Sequence, residues 1–227
     1  AACDVPSNVY SYSFAPNPDW SQSFATGPEI LAYLRDFAHR ERLASCVRFG
    51  HEVVEARFEG DAWHVHTRSH GVFRGCALVL ASGPLANASF PAIAGIDDFE
   101  GAKIHSARWD HDYDFDAKRI AVIGTGASAV QLVPELAKRA HTLKVFQRTA
   151  PWVVPRGDYA TPRWQRSLFR TVPSTQRVVR EGIFYGAEAL ALGVVWTTPL
   201  TTALEILARA HLRRSVADRW LRRQLTP

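Results

Sequence analysis

The sequence contains no methionine and only three cysteines. Cys3, Cys46 and Cys76 are scattered, with neither metal-ligand nor redox spacing between them. That pattern excludes a disulfide scaffold and predicts reduced thiols in a cytoplasmic protein. No stretch has the charged, apolar and small-residue order of a signal peptide. A spanning helix needs ~20 mostly apolar residues. The nearest run, 183–200, is interrupted by Glu188, two glycines and Pro199. It reads as a buried helix or as a surface that touches membrane, the buried helix being favoured and membrane contact not expected. No internal repeat is present. With no methionine and an alanine at position 1, the sequence reads as an internal piece of a longer protein.

What is present is ordinary globular material. The 227 residues are 47% hydrophobic and 22% charged, which excludes disorder and collagen-like repeats. That length suffices for one large domain or two modest ones. The net charge of +5 is unevenly spread. Residues 1–150 carry 15 basic and 17 acidic side chains, a net of −2. Residues 151–227 carry 12 arginines, no lysine and 5 acids, a net of +7. The arginines lie among helix-like apolar residues, so they read as a solvated helical face. No nucleic-acid-binding motif accompanies them, and no nucleic-acid partner is expected.

Along the chain, residues 1–27 are rich in turn residues interleaved with Tyr10, Tyr12, Phe14, Trp20 and Phe24. Those rings need burial, so the segment reads as packed loop. Pro28 opens a helix, with Glu29 at its positive end and Ile30, Leu31, Leu34 and Phe37 on one apolar face. Cys46–Phe49 reads as a strand. Val53–Phe58 and Ala62–Thr67, separated by Glu59-Gly60-Asp61, read as a hairpin. The continuous apolar run Cys76–Ala81 predicts a strand covered on both faces, ended by Ser82-Gly83-Pro84. Residues 84–118 carry prolines and turn residues and read as a linker. Arg119–Ile123, a glycine turn, a helix over Val130–Arg139 and a strand at Leu143–Gln147 compose a βαβ unit. Residues 160–227 read as mainly helical.

The strongest chemical signal is the G-x-G-x-x-A turn Gly124-Thr125-Gly126-Ala127-Ser128-Ala129 between strand and helix. Gly124 permits the tight turn. Gly126 lets a pyrophosphate approach the backbone. Ala129 allows close packing of helix on strand. The helix N-terminus supplies N–H groups and positive potential to phosphates. Ser128 adds a hydroxyl donor, and Gln131 on the same helix joins the cofactor-binding set. The second strand ends in Gln147-Arg148-Thr149, and Arg148 stands 24 residues after Gly124. NAD-binding folds place a carboxylate near there for the ribose 2′-hydroxyl. An arginine cannot accept that bond but pairs with a 2′-phosphate, and Thr149 can donate to the same group. The expected dinucleotide is therefore NADP.

Just before this unit lie Phe99, Gly101, His105, Trp109 and Asp110. Physically these are a turn glycine and a hydrophobic anchor. Were the segment helical, His105 and Trp109 would share a face. Their spacing, F-x-G-x-x-x-H-x-x-x-W-[PD], resembles the fingerprint of Baeyer–Villiger monooxygenases. Cys3–Ser7, Tyr10–Phe14, Pro28–Leu34, Ala81-Ser82-Gly83, Gly124–Ala129 and Phe146–Thr149 resemble further segments of that family. N-oxygenating flavin monooxygenases share the Phe, Gly and His but usually lack the tryptophan, so Trp109 favours the former.

The resemblance implies an α/β, Rossmann-like flavoprotein with two dinucleotide-binding domains. Residues 1–91 would be part of the FAD-binding domain and 92–117 a linker with the fingerprint. Residues 118–227 would form the NADP-binding domain with a helical extension. It implies that NADPH reduces FAD and that one oxygen of O₂ is inserted beside a ketone carbonyl, giving an ester or lactone. Asp4 would be catalytic, pairing with an arginine in a segment that the sequence does not contain. His105 and Trp109 would couple the two domains. Val53 would make a backbone contact to the FAD adenine. Since the flavin's glycine loop is also outside the sequence, the chain alone is expected to lack catalysis. The alternatives are N- or S-oxygenation, or an NADP-binding module with no redox chemistry of its own.

Two other clusters carry nothing. His64 and His66 alternate on one strand face without a suitably spaced third ligand. The acidic run Asp110–Asp116 has Phe115 where a calcium loop needs glycine and Ala121 where it needs glutamate.

Overall fold

The computed structural model describes residues 2–83, 85, 87–196 and 199–227. Pro84, expected to end the apolar run, lies outside them, as do Thr197 and Thr198 within the stretch 183–200. The chain forms two compact units: residues 1–37 with 115–227, and residues 38–114.

The chain opens with a short helix α1 (Ser7–Tyr10) and a longer α2 (Gly27–Arg40). Pro28 sits in the first turn of α2, where its missing N–H costs nothing. Glu29 reaches back and accepts hydrogen bonds from the Ser21 backbone N–H at 2.7 Å and its hydroxyl at 2.8 Å. The buried face differs from the expected one. Ile30 and Tyr33 are buried, while Leu31 and Leu34 are exposed. The reason is the tyrosine's polar end. Its hydroxyl accepts from Tyr12 N–H at 2.9 Å and donates to the Ala15 carbonyl at 2.8 Å, drawing the aromatic loop over that side. Trp20 completes a small core with Cys3, Ala25, Ile30 and Tyr33. Tyr10, Tyr12 and Phe14, expected inside, remain exposed.

In the second unit the hairpin forms as expected. β1 (Val53–Glu59) and β2 (Ala62–Thr67) pair antiparallel across Gly60, which adopts φ +66°. A third strand, β3 (Gly71–Gly75), extends the sheet in the order β1-β2-β3. It was not foreseen because five residues bounded by glycines carry little periodicity. Two expected strands do not form. Residues 43–45 make a single 3₁₀ turn, and Cys46–Phe49 continues as turn and coil. Cys76–Ala81 is irregular chain, with Val79 and Leu80 more than four-fifths exposed. An apolar run becomes a strand only beside a ladder partner, and no described strand pairs with this one.

Back in the first unit, β4 (Arg119–Ile123), α3 (Ala127–Arg139) and β5 (Thr142–Phe146) form the expected βαβ arrangement. The two strands are parallel, in register from Arg119↔Thr142 to Ile123↔Phe146. Leu136 is the buried anchor of α3. Arg139 at its end pairs with Asp116 at 2.5 Å and lies over the buried Phe115 ring. Four helices follow: α4 (Arg163–Thr171), α5 (Pro173–Val195), α6 (Pro199–Ser215) and α7 (Arg219–Gln224). No helix among the described residues is long and apolar enough to cross a membrane.

The N-terminal segment is stitched to this helical region by polar groups far apart in sequence. Gln176 on α5 is 3% exposed. Its Nε2 donates to Asn8 Oδ1 at 3.1 Å and to the Asn17 carbonyl at 2.7 Å. Arg180, one turn on, donates to the carbonyls of Asn8 and Ser11, both at 2.8 Å. Residues 21–23 run beside 159–161, with Ser23 N–H donating to Tyr159 O and Thr161 N–H to Ser21 O. Gln176→Ala leaves the half-buried Asn17 carbonyl without this donor. The expected loss is ~1–3 kcal/mol, read as a fall in Tm of roughly 2–12 °C by calorimetry. An unchanged Tm would show that α5 docks without this bond.

Candidate dinucleotide site

The site is built by the turn from β4 into α3. β4 ends at Ile123, and the backbone reverses at Gly124, where φ is +110°. A side chain there would be strained, so glycine is required by conformation. Gly126 is different. Its φ of −73° suits any residue, and it caps α3 without a side-chain bond. A Cβ built on Gly126 meets nothing within 4 Å. The glycine thus leaves open space in front of the first helical turn. Val130 N–H is the first to close back, donating to the Gly126 carbonyl at 3.1 Å. The N–H groups of Ala127, Ser128 and Ala129 precede that first intrahelical bond and point out of the N-terminus. Thr125 and Ala129 are half-buried, and Ala127 and Ser128 exposed. Open space faced by free amides is the donor set a pyrophosphate needs, so these residues fit NADP.

Arg148 and Thr149 follow the end of β5, the strand parallel to β4, and both are exposed. Arg148 has no acidic partner among the described residues, so its guanidinium is free for a ligand. Gln131 is already occupied. Its Oε1 accepts from Ala2 N–H at 3.0 Å, and its Nε2 donates to the Ala2 carbonyl at 3.3 Å. This side chain therefore ties the start of the chain to the first turns of α3. Neither bond could be read from sequence, since 129 residues separate the pair.

That tie brings the Cys3-Asp4 segment to the α3 side of the first unit. Cys3 is buried, and its backbone N–H donates to Ala25 O at 3.0 Å. Burial pushes its thiol pKa up, so it stays an inert thiol. Asp4 is exposed and unpaired among the described residues.

The remaining expected residues lie in the second unit, residues 38–114. The fingerprint is not helical. Only Ser106–Arg108 forms a 3₁₀ turn, and His105 and Trp109 flank it in extended conformation. Their spacing of four therefore does not give a shared helical face. His105 Nδ1 caps the turn, accepting from Ala107 N–H at 3.1 Å. The His105 ring meets Phe90 edge-on, with centroids 5.8 Å apart. Trp109 is half-buried. Gly101 has a packing role that sequence did not indicate: a Cβ there would overlap the Phe99 ring. Val53 opens β1, paired with Thr67, with its side chain exposed. α2 also opens on a glycine, Gly27, but a lone one followed by Pro28, which has no N–H to offer a phosphate; no second G-x-G turn opens a helix among the described residues. The FAD pyrophosphate therefore has no cradle here, and the described residues do not by themselves fit FAD.

The sequence profile of the flavin-binding monooxygenase-like family matches residues 3–173. The chain belongs to that family. It is 38% identical over its whole length to a Baeyer–Villiger monooxygenase of Pseudomonas aeruginosa, spanning 43% of that protein. It is 40% identical to a Baeyer–Villiger monooxygenase of Streptomyces coelicolor, spanning 44% of it. The chain thus spans less than half the length of these curated relatives. Among solved structures, an oxidized steroid monooxygenase bound to NADP matches all of this chain and 51% of its own. Its TM-score is 0.82 at 32% identity. A closed cyclohexanone monooxygenase structure matches with a TM-score of 0.80 at 26% identity, over 100% of this chain and 50% of its own. The fold is accordingly the α/β, Rossmann-like fold of the flavin monooxygenases.

Proposed function

We propose that the protein containing this chain is an NADPH- and FAD-dependent Baeyer–Villiger monooxygenase, converting a ketone and O₂ to an ester or lactone. The observation that carries the nucleotide half is the pairing of an open glycine turn at Gly126 with the unpartnered Arg148 on the neighbouring strand end. In this reading the amides of Ala127–Ala129 hold the pyrophosphate of NADP. Arg148 and Thr149 hold its 2′-phosphate, which selects NADP over NAD. Asp4, tethered near α3 through Ala2, stands ready to orient a cation beside the nicotinamide. FAD, when bound, supplies the oxygen activation that no side chain provides. Relatives named for FAD and NADP support both cofactors, among them an OTEMO structure in complex with FAD and NADP. Residues 1–91 are assigned to the FAD domain, 92–117 to the linker and 118–227 to the NADP domain. This division is by cofactor; the packing units divide the chain differently.

A substrate screen of the full-length protein with a ketone and an amine tests the reaction class. Ester formation supports it, and amine oxidation without ester formation would replace it with N-oxygenation. His105 has the coupling role. Its ring caps a turn and packs on Phe90 and belongs to no proton relay among the described residues. His105→Ala in the full-length protein should slow flavin reduction by NADPH about 10-fold or more with Tm lowered by only a few degrees. Stopped-flow absorbance at the flavin band measures it. A wild-type rate with a lowered Tm would leave His105 a packing residue only.

A further inference from the structure

The arginine-rich end of the chain does more than face solvent. Arg209 and Arg213 stand four apart on α6, and Arg219, Arg222 and Arg223 lie on α7. The chain turns between the helices at 216–218, where Asp218 caps α7 by accepting from Trp220 and Leu221 N–H at 2.7 and 2.9 Å. The two helices border a half-open cleft of about 370 Å³ lined by these five arginines, with Leu212 and Thr226 completing the wall. No carboxylate lines it. Arg209 is held by Glu205 at 2.7 Å. Among the described residues the other four arginines have no acidic partner. Like charges converging on one concave space repel. An anion entering it would relieve that repulsion and receive charge-assisted bonds from several guanidiniums. Their planar forks match phosphate oxygens better than ammonium groups do, and residues 151–227 contain no lysine.

The cleft also has a defined address. Gln147 Nε2 donates to the Gln224 carbonyl at 3.4 Å, and the Arg209 guanidinium lies 5.1 Å from the Trp152 ring. Both ends of the segment 147–152, which carries Arg148, are therefore held by the helices that line the cleft. We propose that this cleft binds a phosphate group. The phosphate is presented either by a separate small molecule or by the dinucleotide at its 2′-phosphate end. The site stands on the five arginines and does not require Arg148 to contact NADP.

Calorimetric titration of the whole chain with inorganic pyrophosphate, at fixed ionic strength, tests the assignment. The test variant is Arg213→Ala/Arg219→Ala/Arg223→Ala, three exposed side chains whose loss should leave Tm nearly unchanged. Pyrophosphate affinity should fall at least about 30-fold. Arg214→Ala, an exposed arginine of α6 outside the cleft, should change affinity less than about twofold. If the triple variant unfolds, the single changes Arg213→Ala and Arg223→Ala carry the comparison. Repeating the titration with saturating NADP⁺ separates the sources. Because NADP⁺ also fills the amides of Ala127–Ala129, the component of binding lost in the cleft variant is the one followed: its retention identifies a separate ligand, and its displacement identifies the dinucleotide. No pyrophosphate binding by the wild type, or equal losses in the cleft variant and Arg214→Ala, overturns the site.

Discussion

Replacing Arg148 by alanine should weaken NADPH binding by about 10- to 150-fold and leave NADH binding within about twofold of wild type. The arithmetic follows from one charge-assisted contact worth ~1.5–3 kcal/mol. The contact is selective because only NADPH carries the 2′-phosphate. Arg148 is exposed and makes no ion pair among the described residues, so its removal breaks nothing in the fold. Tm should stay unchanged. The two dissociation constants, measured by fluorescence titration, decide the matter. Equal losses for NADPH and NADH would move the 2′-phosphate elsewhere and end the case for Arg148 as its partner.

Gly126→Ala should act on both cofactors alike. The methyl group has free space in the unliganded chain and a φ of −73° to sit on, so the fold accommodates it. The cost is an N-cap difference below about 1 kcal/mol. The same methyl occupies the space a pyrophosphate needs against the amides of α3. Binding of NADPH and NADH should both drop by roughly 100-fold, corresponding to about 3 kcal/mol of lost phosphate contacts. Gly124→Ala makes the contrast. Its φ of +110° imposes strain on any side chain, so its main effect should be on stability, ~1–2 kcal/mol, with binding following. Thermal melts and titrations of the two variants side by side separate the glycine kept for the ligand from the glycine kept for the backbone. Equal melting temperatures for the two would contradict this division.

The βαβ unit was legible because everything it needs is local. An apolar strand, a glycine turn, a helix and a second apolar strand lie within 28 consecutive residues, Arg119–Phe146, and each signal is a short-range one. The hairpin β1–β2 was legible for the same reason, its turn lying between its two strands. The apolar run Cys76–Ala81 failed because its hydrophobicity states a need for cover without supplying the neighbour that satisfies it. The fingerprint was legible as a set of residues and not as a shape: a spacing of four leaves helix or loop open, and only Ser106–Arg108 turns.

Sequence by itself determined the residue types at the glycine turn: a glycine at 124 where the backbone bends, a second at 126 with no side chain, and an arginine, not an acid, just after the second strand. Those are properties of residue type and short spacing, which the chain carries wherever it folds. Tertiary structure alone decided that Gln176 and Arg180 clasp the loop at Asn8–Asn17. It alone committed Gln131 to the backbone of Ala2, and it gathered five arginines from two helices around one cleft. In the sequence these arginines, 209 and 213 on one helix and 219, 222 and 223 on the next, read only as a solvated helical face. Which way those faces point depends on the turn between the helices and on what each packs against. The partners of Gln176 and Gln131 lie more than 120 residues away in sequence, so no local pattern encodes them. The bonds of Gln176 exist because a buried amide must find partners once the chain has closed, whereas Gln131 is exposed and its bonds require only that Ala2 lie beside α3.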